Sequence, residues 1–396
     1  MKKVVFVFED LPVENGNGFS TYNRAFISCV NHEEYSISLI ITGSNHQGYI
    51  YNPQQVLNCK VSSIKVINAL LSTTQFCIPS IKGVLKLFYR KFLKGRVSVG
   101  DDKLVKIGRW LTSGERASVA NEIKKIKPDV VFVDTIFRSF DFTTLAPDCK
   151  TVLIGHDVFF ERCASMISNG LKPSPMITPE LELGVISQYE DVIAITEHDG
   201  AIYQSHHIKN VHVLPSPISR RAFIPAKSKT KDLFYLGSRA HHNVNGLLWF
   251  LNNVWPSVLA ADPQVTLYVV GSVCELIPKT FSNVKLLGML DSFSEICDVS
   301  AVAINPVLSG SGMKIKTLDY LANGLPCITT ELGAEGFRMG SENGPILIAN
   351  NAEDFSKVLL SLIHDGERLS LLSTEALKLA DHFSFDGFKE RLGKIL

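Results

Sequence analysis

Residues Asn305 to Thr330 read NPVLSGSGMKIKTLDYLANGLPCITT, and the order of patterns inside this stretch decides the fold. An apolar strand end passes through a glycine-rich loop into a helical pattern, then through Gly324-Leu325-Pro326 into a second strand. Strand, loop, helix and strand in that order form the repeating unit of a parallel sheet. Gly310 and Gly312 let the backbone approach a ligand closely, with Ser311 and Met313 beside them. Lys314 and Lys316 supply positive charge where the helix N-terminus adds its own, a combination suited to a diphosphate. Asp319 follows one to two turns later, placed to accept hydrogen bonds from ribose hydroxyls. The loop points to a nucleotide, although the same pattern also serves many α/β proteins as a tight connection with solvated lysines.

Working outward, short β-branched runs alternate with helical stretches along the whole chain, the pattern of parallel sheets covered on both faces. The first half offers strands at Val4 to Phe8, Ile37 to Thr42, Val130 to Asp134, Val152 to Gly155, Val192 to Ile195 and Val211 to Leu214. The second offers Leu233 to Leu236, Leu267 to Val270, Val284 to Leu286, Ala301 to Asn305 and Cys327 to Thr329. Two Rossmann-like sheets result, as 396 residues would require of a chain too long for one ordinary core. Pro215 and Pro217 break both helix and ladder, so the seam is placed there, giving domains 1–215 and 216–380. A helix is expected over Asn243 to Leu259, with Pro256 an irritant near its end, and another over Ser384 to Leu396.

Composition narrows the function. The formal net charge is +1 and 20% of residues are charged, so no dominant field favours bulk nucleic-acid binding. Eight cysteines are scattered without C-x-x-C pairs, reading as buried thiols in a reducing compartment. The N-terminal MKKVVFVFED has too short an apolar run for a signal peptide and reads as a first strand. No apolar segment approaches the roughly 20 residues that cross a bilayer. The expectation is a cytoplasmic protein, or one attached to a membrane from the cytoplasmic face. Ile81 to Arg96 supports the second option: Lys82, Lys86, Arg90 and Lys94 recur four apart beside an apolar stripe, without an acid. A surface helix with a solvated basic face reads the same way.

Other loops follow strands at positions where α/β sheets collect ligands. After the first strand come Gly16 and Gly18, too distant from Phe8 for a dinucleotide fingerprint, followed by a helix that Ser20 or Thr21 could cap. Gly155-His156-Asp157 ends another strand; His156 could hold a sugar hydroxyl, and Asp157 could orient it or cap the next helix. Gly237, Ser238 and Arg239 open a helix whose amides, with the guanidinium, suit diphosphate oxygens. Gly271 and Gly288-Met289 end two further strands. No H-E-x-x-H, G-x-S-x-G or G-x-x-x-x-G-K-[ST] motif is present, and the His pairs diverge on either a helix or a strand, so no metal site is expected.

The run from Gly310 to Pro326 resembles the donor-site segment of family 4-like glycosyltransferases of the GT-B fold, with the pattern G-S-G-x-K-x-K-x-L-E-Y-L-A-x-G-x-P. Asp319 stands where that group usually has Glu, and Ser311 where many members have the first Glu of an E-x7-E pair. The resemblance implies two Rossmann-like domains facing each other across a cleft, with residues 381–396 crossing back to the first. It implies retaining, hexosyl-type transfer from a nucleotide-diphosphate sugar to a glycan, lipid-linked or protein acceptor. Lys314, Lys316, Arg239 and loop amides would neutralise the leaving diphosphate with no cofactor and no metal required. Gly16 and Gly18 would lie near donor phosphates, His156 near the transferred sugar, and the base beside Gly288 and Met289. The alternatives are a non-hydrolysing nucleotide-sugar epimerase and a partner that binds the nucleotide sugar without turnover.

Overall fold

The computed structural model describes residues 1–13, 18–43, 51–57, 59–67, 69–79, 103–146, 148–222, 231–309, 312–337 and 344–396. They divide into two compact units, Met1–Ser216 with Phe388–Leu396, and Pro217–Gly387.

In chain order the strands of the first unit are β1 (Lys2–Phe8), β2 (Tyr35–Ile41), β3 (Ser63–Val66), β4 (Leu71–Ser72), β5 (Cys77–Ile78), β6 (Leu104–Lys106), β7 (Val130–Asp134), β8 (Lys150–Gly155), β9 (Lys172–Ser174), β10 (Asp191–Ala194) and β11 (Val211–Val213). Seven of them form a parallel sheet in the order β11-β10-β8-β7-β1-β2-β3. Val4 to Phe8 in β1 and Val130 to Val133 in β7 are all buried. Helices cover both faces of such a sheet, which is why these strands read as continuous apolar runs without alternation. Residues 388–396 complete the unit's core: Phe388 packs its ring edge-on against Tyr22 at 5.9 Å and Phe26 at 5.4 Å. Lys150 Nζ donates to the Ile395 carbonyl at 2.8 Å.

The second unit carries β12 (Asp232–Leu236), β13 (Leu267–Val270), β14 (Val284–Gly288), β15 (Ser300–Asn305), β16 (Cys327–Thr329) and β17 (Ile346–Ile348), in the sheet order β14-β13-β12-β15-β16-β17. Chain direction along the sheet therefore reverses between β12 and β15. In open parallel sheets ligands bind at the carboxyl ends flanking such a reversal.

Two expectations about this unit are revised. The edge strand β17 joins the sheet beside β16, as β3 does beside β2; both are short and only partly buried, so neither stands out as an apolar run. The single helix over Asn243 to Leu259 is two helices, His241–Asn253 and Trp255–Ala261, separated at Val254. Pro256 lies in the first turn of the second, where the missing N–H has no intrahelical partner to lose. Its apolar stripe remains core, with Leu247, Leu251, Val254, Trp255 and Val258 buried.

Candidate functional site

The carboxyl ends of β12, β13 and β14 are joined glycine to glycine. Gly237 N–H donates to the Val270 carbonyl at 3.0 Å, Gly271 N–H to the Gly288 carbonyl at 2.7 Å, and Val273 N–H to the Gly237 carbonyl at 3.1 Å. Gly271 has φ +103°, and a Cβ there would stand 2.2 Å from the Gly237 oxygen, so this approach admits only glycine. Beyond Gly288 the side chain of Met289 is 65% exposed, with Leu290 beside it also open to solvent.

Across the reversal, β15 ends at Asn305, whose buried amide donates to Thr317 Oγ1 at 3.0 Å and whose carbonyl accepts from Thr329 Oγ1 at 2.6 Å. These bonds tie the end of β15 to the helix Ile315–Ala322 and to β16. Gly312 has φ +73°, and among the described residues no side chain caps the helix N-terminus. Lys316 Nζ donates to Asn243 Oδ1 at 2.5 Å and to Tyr235 Oη at 3.3 Å, and lies 4.7 Å from the Tyr235 ring centroid. Asn243 Nδ2 donates in turn to Ser238 Oγ at 3.0 Å. Lys316 is half-buried as a residue, and burial around its ammonium, aided by the nearby Lys314 charge, lowers its pKa to about 7. Among the described residues no carboxylate pairs with it.

The other two cations have acidic partners. Lys314 Nζ donates to the Gly312 carbonyl at 2.6 Å and to Glu335 Oε2 at 3.3 Å. Arg239 pairs with Glu275 at 3.0 Å, both largely exposed, while its backbone N–H donates to Ser272 Oγ at 3.2 Å. Asp319 lies one turn after Lys316, and burial raises its carboxyl pKa to about 7. Among the described residues no donor bonds that carboxylate. Met313 is buried. Gly310, Ser311 and Gly16 lie outside the described residues, as does the basic run 81–96.

In the first unit the helix Gly18–Cys29 begins at Gly18, so Ser20 and Thr21 lie inside it and not at its N-cap, and the Ser20 hydroxyl donates to the Val13 carbonyl at 3.0 Å. His156 is buried between the rings of Phe19 and Tyr22, at 4.6 and 5.0 Å, and its Nε2 meets Asp134 Oδ1 at 2.6 Å. Asp134 ends β7 opposite Ile154 of β8, two residues before His156, so adjacent strand ends supply the pair. Asp157 accepts from Arg162 Nη1 at 2.8 Å and does not cap the helix Phe159–Ser168. Glu182 does: it accepts from Phe159 N–H at 3.1 Å and Phe160 N–H at 2.8 Å, and burial raises its pKa to about 7.

The structure thus joins Ser238 to Lys316 through Asn243, and Gly237 to Gly271 and Gly288 through backbone bonds, while Arg239 is turned to Glu275. Tyr235, Asn243, Glu335 and Asp134 enter beyond the sequence candidates. Only Asp134, a charged residue closing an apolar strand, carried a local signal. Among the described residues no cluster of His, Cys, Asp and Glu could hold a metal ion, and no helix is long and apolar enough to cross a membrane.

Known proteins share this architecture. TarM of S. aureus superposes at TM-score 0.66 and 10% identity, over 100% of this chain and 98% of that one. The pneumococcal O-GlcNAc transferase GtfA, solved with UDP and GlcNAc, superposes at 0.65 and 12% identity, over 100% and 98%. The fold is GT-B. HepE of Anabaena, solved with UDP, shares it at TM-score 0.63 and 10% identity, over 100% and 99%. Within this GT-B chain, residues 230–365 match the family described as Glycosyl transferases group 1, a segment holding the glycine-joined strand ends and the Lys316 network. An uncharacterised 44.6 kDa protein in the cps region of Klebsiella pneumoniae is 31% identical over 132 residues, 30% of this chain. That match spans 34% of the relative's length.

Proposed function

We propose that this GT-B protein is a glycosyltransferase that moves a sugar from a nucleotide-diphosphate sugar to an acceptor. The observation that carries the reading is the buried Lys316 ammonium at the sheet's reversal, held among the described residues only by neutral groups. Enclosing a charge without a counter-ion costs several kcal/mol, and a bound diphosphate would remove that cost. Asp319 suits ribose hydroxyls for the complementary reason, since no donor among the described residues bonds its carboxylate and such hydroxyls would provide them. Gly237, Gly271 and Gly288 leave their strand ends open to close approach, and Met289 offers an apolar surface for a base.

In the reaction the bond from the sugar's anomeric carbon to the diphosphate oxygen breaks while an acceptor hydroxyl forms its own bond to that carbon. Lys316, with Lys314 and Arg239 released from Glu335 and Glu275, would neutralise the charge that gathers on the departing oxygen. Retention follows if the acceptor attacks from the same face and passes its proton to the leaving phosphate. His156, fixed by Asp134, is the first unit's candidate for holding a saccharide hydroxyl. The cps-region relative supports a bacterial polysaccharide or glycoconjugate acceptor. Eight cysteines, none of them in a disulfide among the described residues, suit a cytoplasmic setting, and the basic run 81–96 a peripheral membrane contact.

The test is to incubate the protein with a panel of nucleotide sugars and follow nucleoside diphosphate release with and without acceptors, assigning the product anomer by NMR. Acceptor-dependent release with an unchanged anomer is expected. Conversion of the donor to an epimer, or binding without release for every acceptor, would replace transfer with epimerisation or with a non-catalytic role.

A further inference from the structure

Asn243 occupies an unusual place for an asparagine. Only 7% of it is exposed, and both ends of its amide are engaged: the oxygen accepts from Lys316 Nζ at 2.5 Å and the nitrogen donates to Ser238 Oγ at 3.0 Å. Tyr235 Oη closes the triangle, accepting from Lys316 Nζ at 3.3 Å and donating to the Asn243 backbone carbonyl at 2.9 Å. Asn243 belongs to the helix that follows β12, Lys316 to the helix that follows β15. The contact therefore spans the reversal in strand order. Its spacing is fixed from below by Gly246, where a Cβ would stand 2.1 Å from the Pro306 oxygen.

Chemistry distinguishes this residue from its nearest isostere. An aspartate here would hold the ammonium equally well in geometry, but its charge would compensate the lysine and leave nothing for an anion. An amide oxygen orients the ammonium and leaves its charge uncompensated. Resting on the proposed function, we infer that Asn243 is a positioning residue that aims the Lys316 ammonium at the incoming diphosphate while keeping its charge available.

The proton balance follows. Among the described residues, the titratable groups acting on Lys316 are Lys314, Cys327 and Tyr235. Burial pushes the Cys327 thiol up to about 12 and the Tyr235 phenol upward as well, so both stay neutral, and the Lys314 charge disfavours a second ammonium. The lysine is thus partly deprotonated in the free protein near pH 7, and a bound diphosphate draws a proton onto it.

Isothermal titration with UDP, GDP and ADP, at pH 7.0 and 8.5 in buffers of different ionisation enthalpy, reads this directly. For whichever nucleotide binds, the wild type takes up about one proton at the higher pH and binds about tenfold more weakly there. Asn243→Asp abolishes the pH dependence and weakens binding at pH 7.0 by about tenfold. Asn243→Ser, a smaller change that keeps the site neutral, weakens binding yet retains proton uptake; it also serves should the Asp variant misfold. A second arm needs no ligand: NMR titration of lysine labelled at Cε, with Lys316 assigned by Lys316→Arg, shows its midpoint moving upward in Asn243→Asp. An unmoved midpoint, or an unchanged pH dependence of binding, overturns the inference. If no nucleotide binds the wild type, the proposed function falls, and the lysine titration alone decides whether Asn243 governs its charge.

Discussion

Lys316 and Asp319 stand one turn apart on the same short helix, and burial acts on them in opposite directions. The lysine's pKa falls from 10.5 to about 7 and the aspartate's rises from 3.8 to about 7. Between pH 7 and 10.5 the unfolded chain holds a proton on Lys316 that the folded chain does not, so this residue makes stability rise with pH across that window. Between pH 3.8 and 7 the folded chain holds a proton on Asp319 that the unfolded chain has lost, so this residue makes stability fall as pH rises, levelling above 7. Asp319→Asn is therefore expected to stabilise the ligand-free protein most at pH 8, by about 1 kcal/mol or more, and least at pH 4. Urea unfolding at the two pH values checks it. Lys316→Met is expected to stabilise the free protein at pH 6 more than at pH 9 while lowering nucleotide affinity about tenfold or more, measured by calorimetry on the same samples. Residues that gain fold stability and lose a ligand when neutralised are being held for that ligand. At this scale the sequence singled out Lys314, Lys316 and Asp319 as candidates, because glycines and lysines share one loop. It could not show that Asn243, 73 positions away, holds the decisive one.

Elements were legible where their signals were local. The buried strands of both sheets announce themselves as apolar runs, and the helix Ile315–Ala322 follows directly from its loop. What failed were assignments that depended on a distant partner. Asp157, adjacent to its helix, is the obvious cap by sequence, yet Arg162 takes its carboxylate and Glu182 caps the helix from elsewhere in the fold. Glu182→Ala should therefore cost about 1–3 kcal/mol by leaving two buried N–H groups unpaired, whereas Glu182→Gln, which keeps one acceptor, should cost less. Chemical denaturation of both variants at pH 8 separates them. The glycine-joined strand ends make a sharper case. Gly271→Ala forces a Cβ against the Gly237 oxygen and a strained φ, and should lower stability by about 2 kcal/mol or more and weaken nucleotide binding with it. A thermal melt with and without nucleotide reads both effects.

The whole molecule was readable in outline because two doubly wound sheets need little beyond alternating strand and helix. The sheet order β14-β13-β12-β15-β16-β17, with its reversal at the proposed donor site, could not be read from the chain, since pairing depends on contacts far apart in sequence. Family resemblance implied that residues 381–396 cross back to the first domain; the structure groups Phe388–Leu396 with Met1–Ser216. Removing Phe388–Leu396 takes away a ring that packs on Tyr22 and Phe26 and opens an apolar hole. The truncated protein should lose about 3–5 kcal/mol in the Met1–Ser216 unit, with Phe388→Ala accounting for much of it, as hydrogen exchange of β1 and β7 amides would show.

That same tail sets an order of events during biosynthesis. A ribosome delivers the first 216 residues long before residue 388 emerges, so the leading half must wait with an apolar gap where Phe388 will sit. Translation pauses within the trailing half would lengthen the time that gap faces chaperones and proteases. A premature stop there would leave the nascent leading half without the last piece of its own interior.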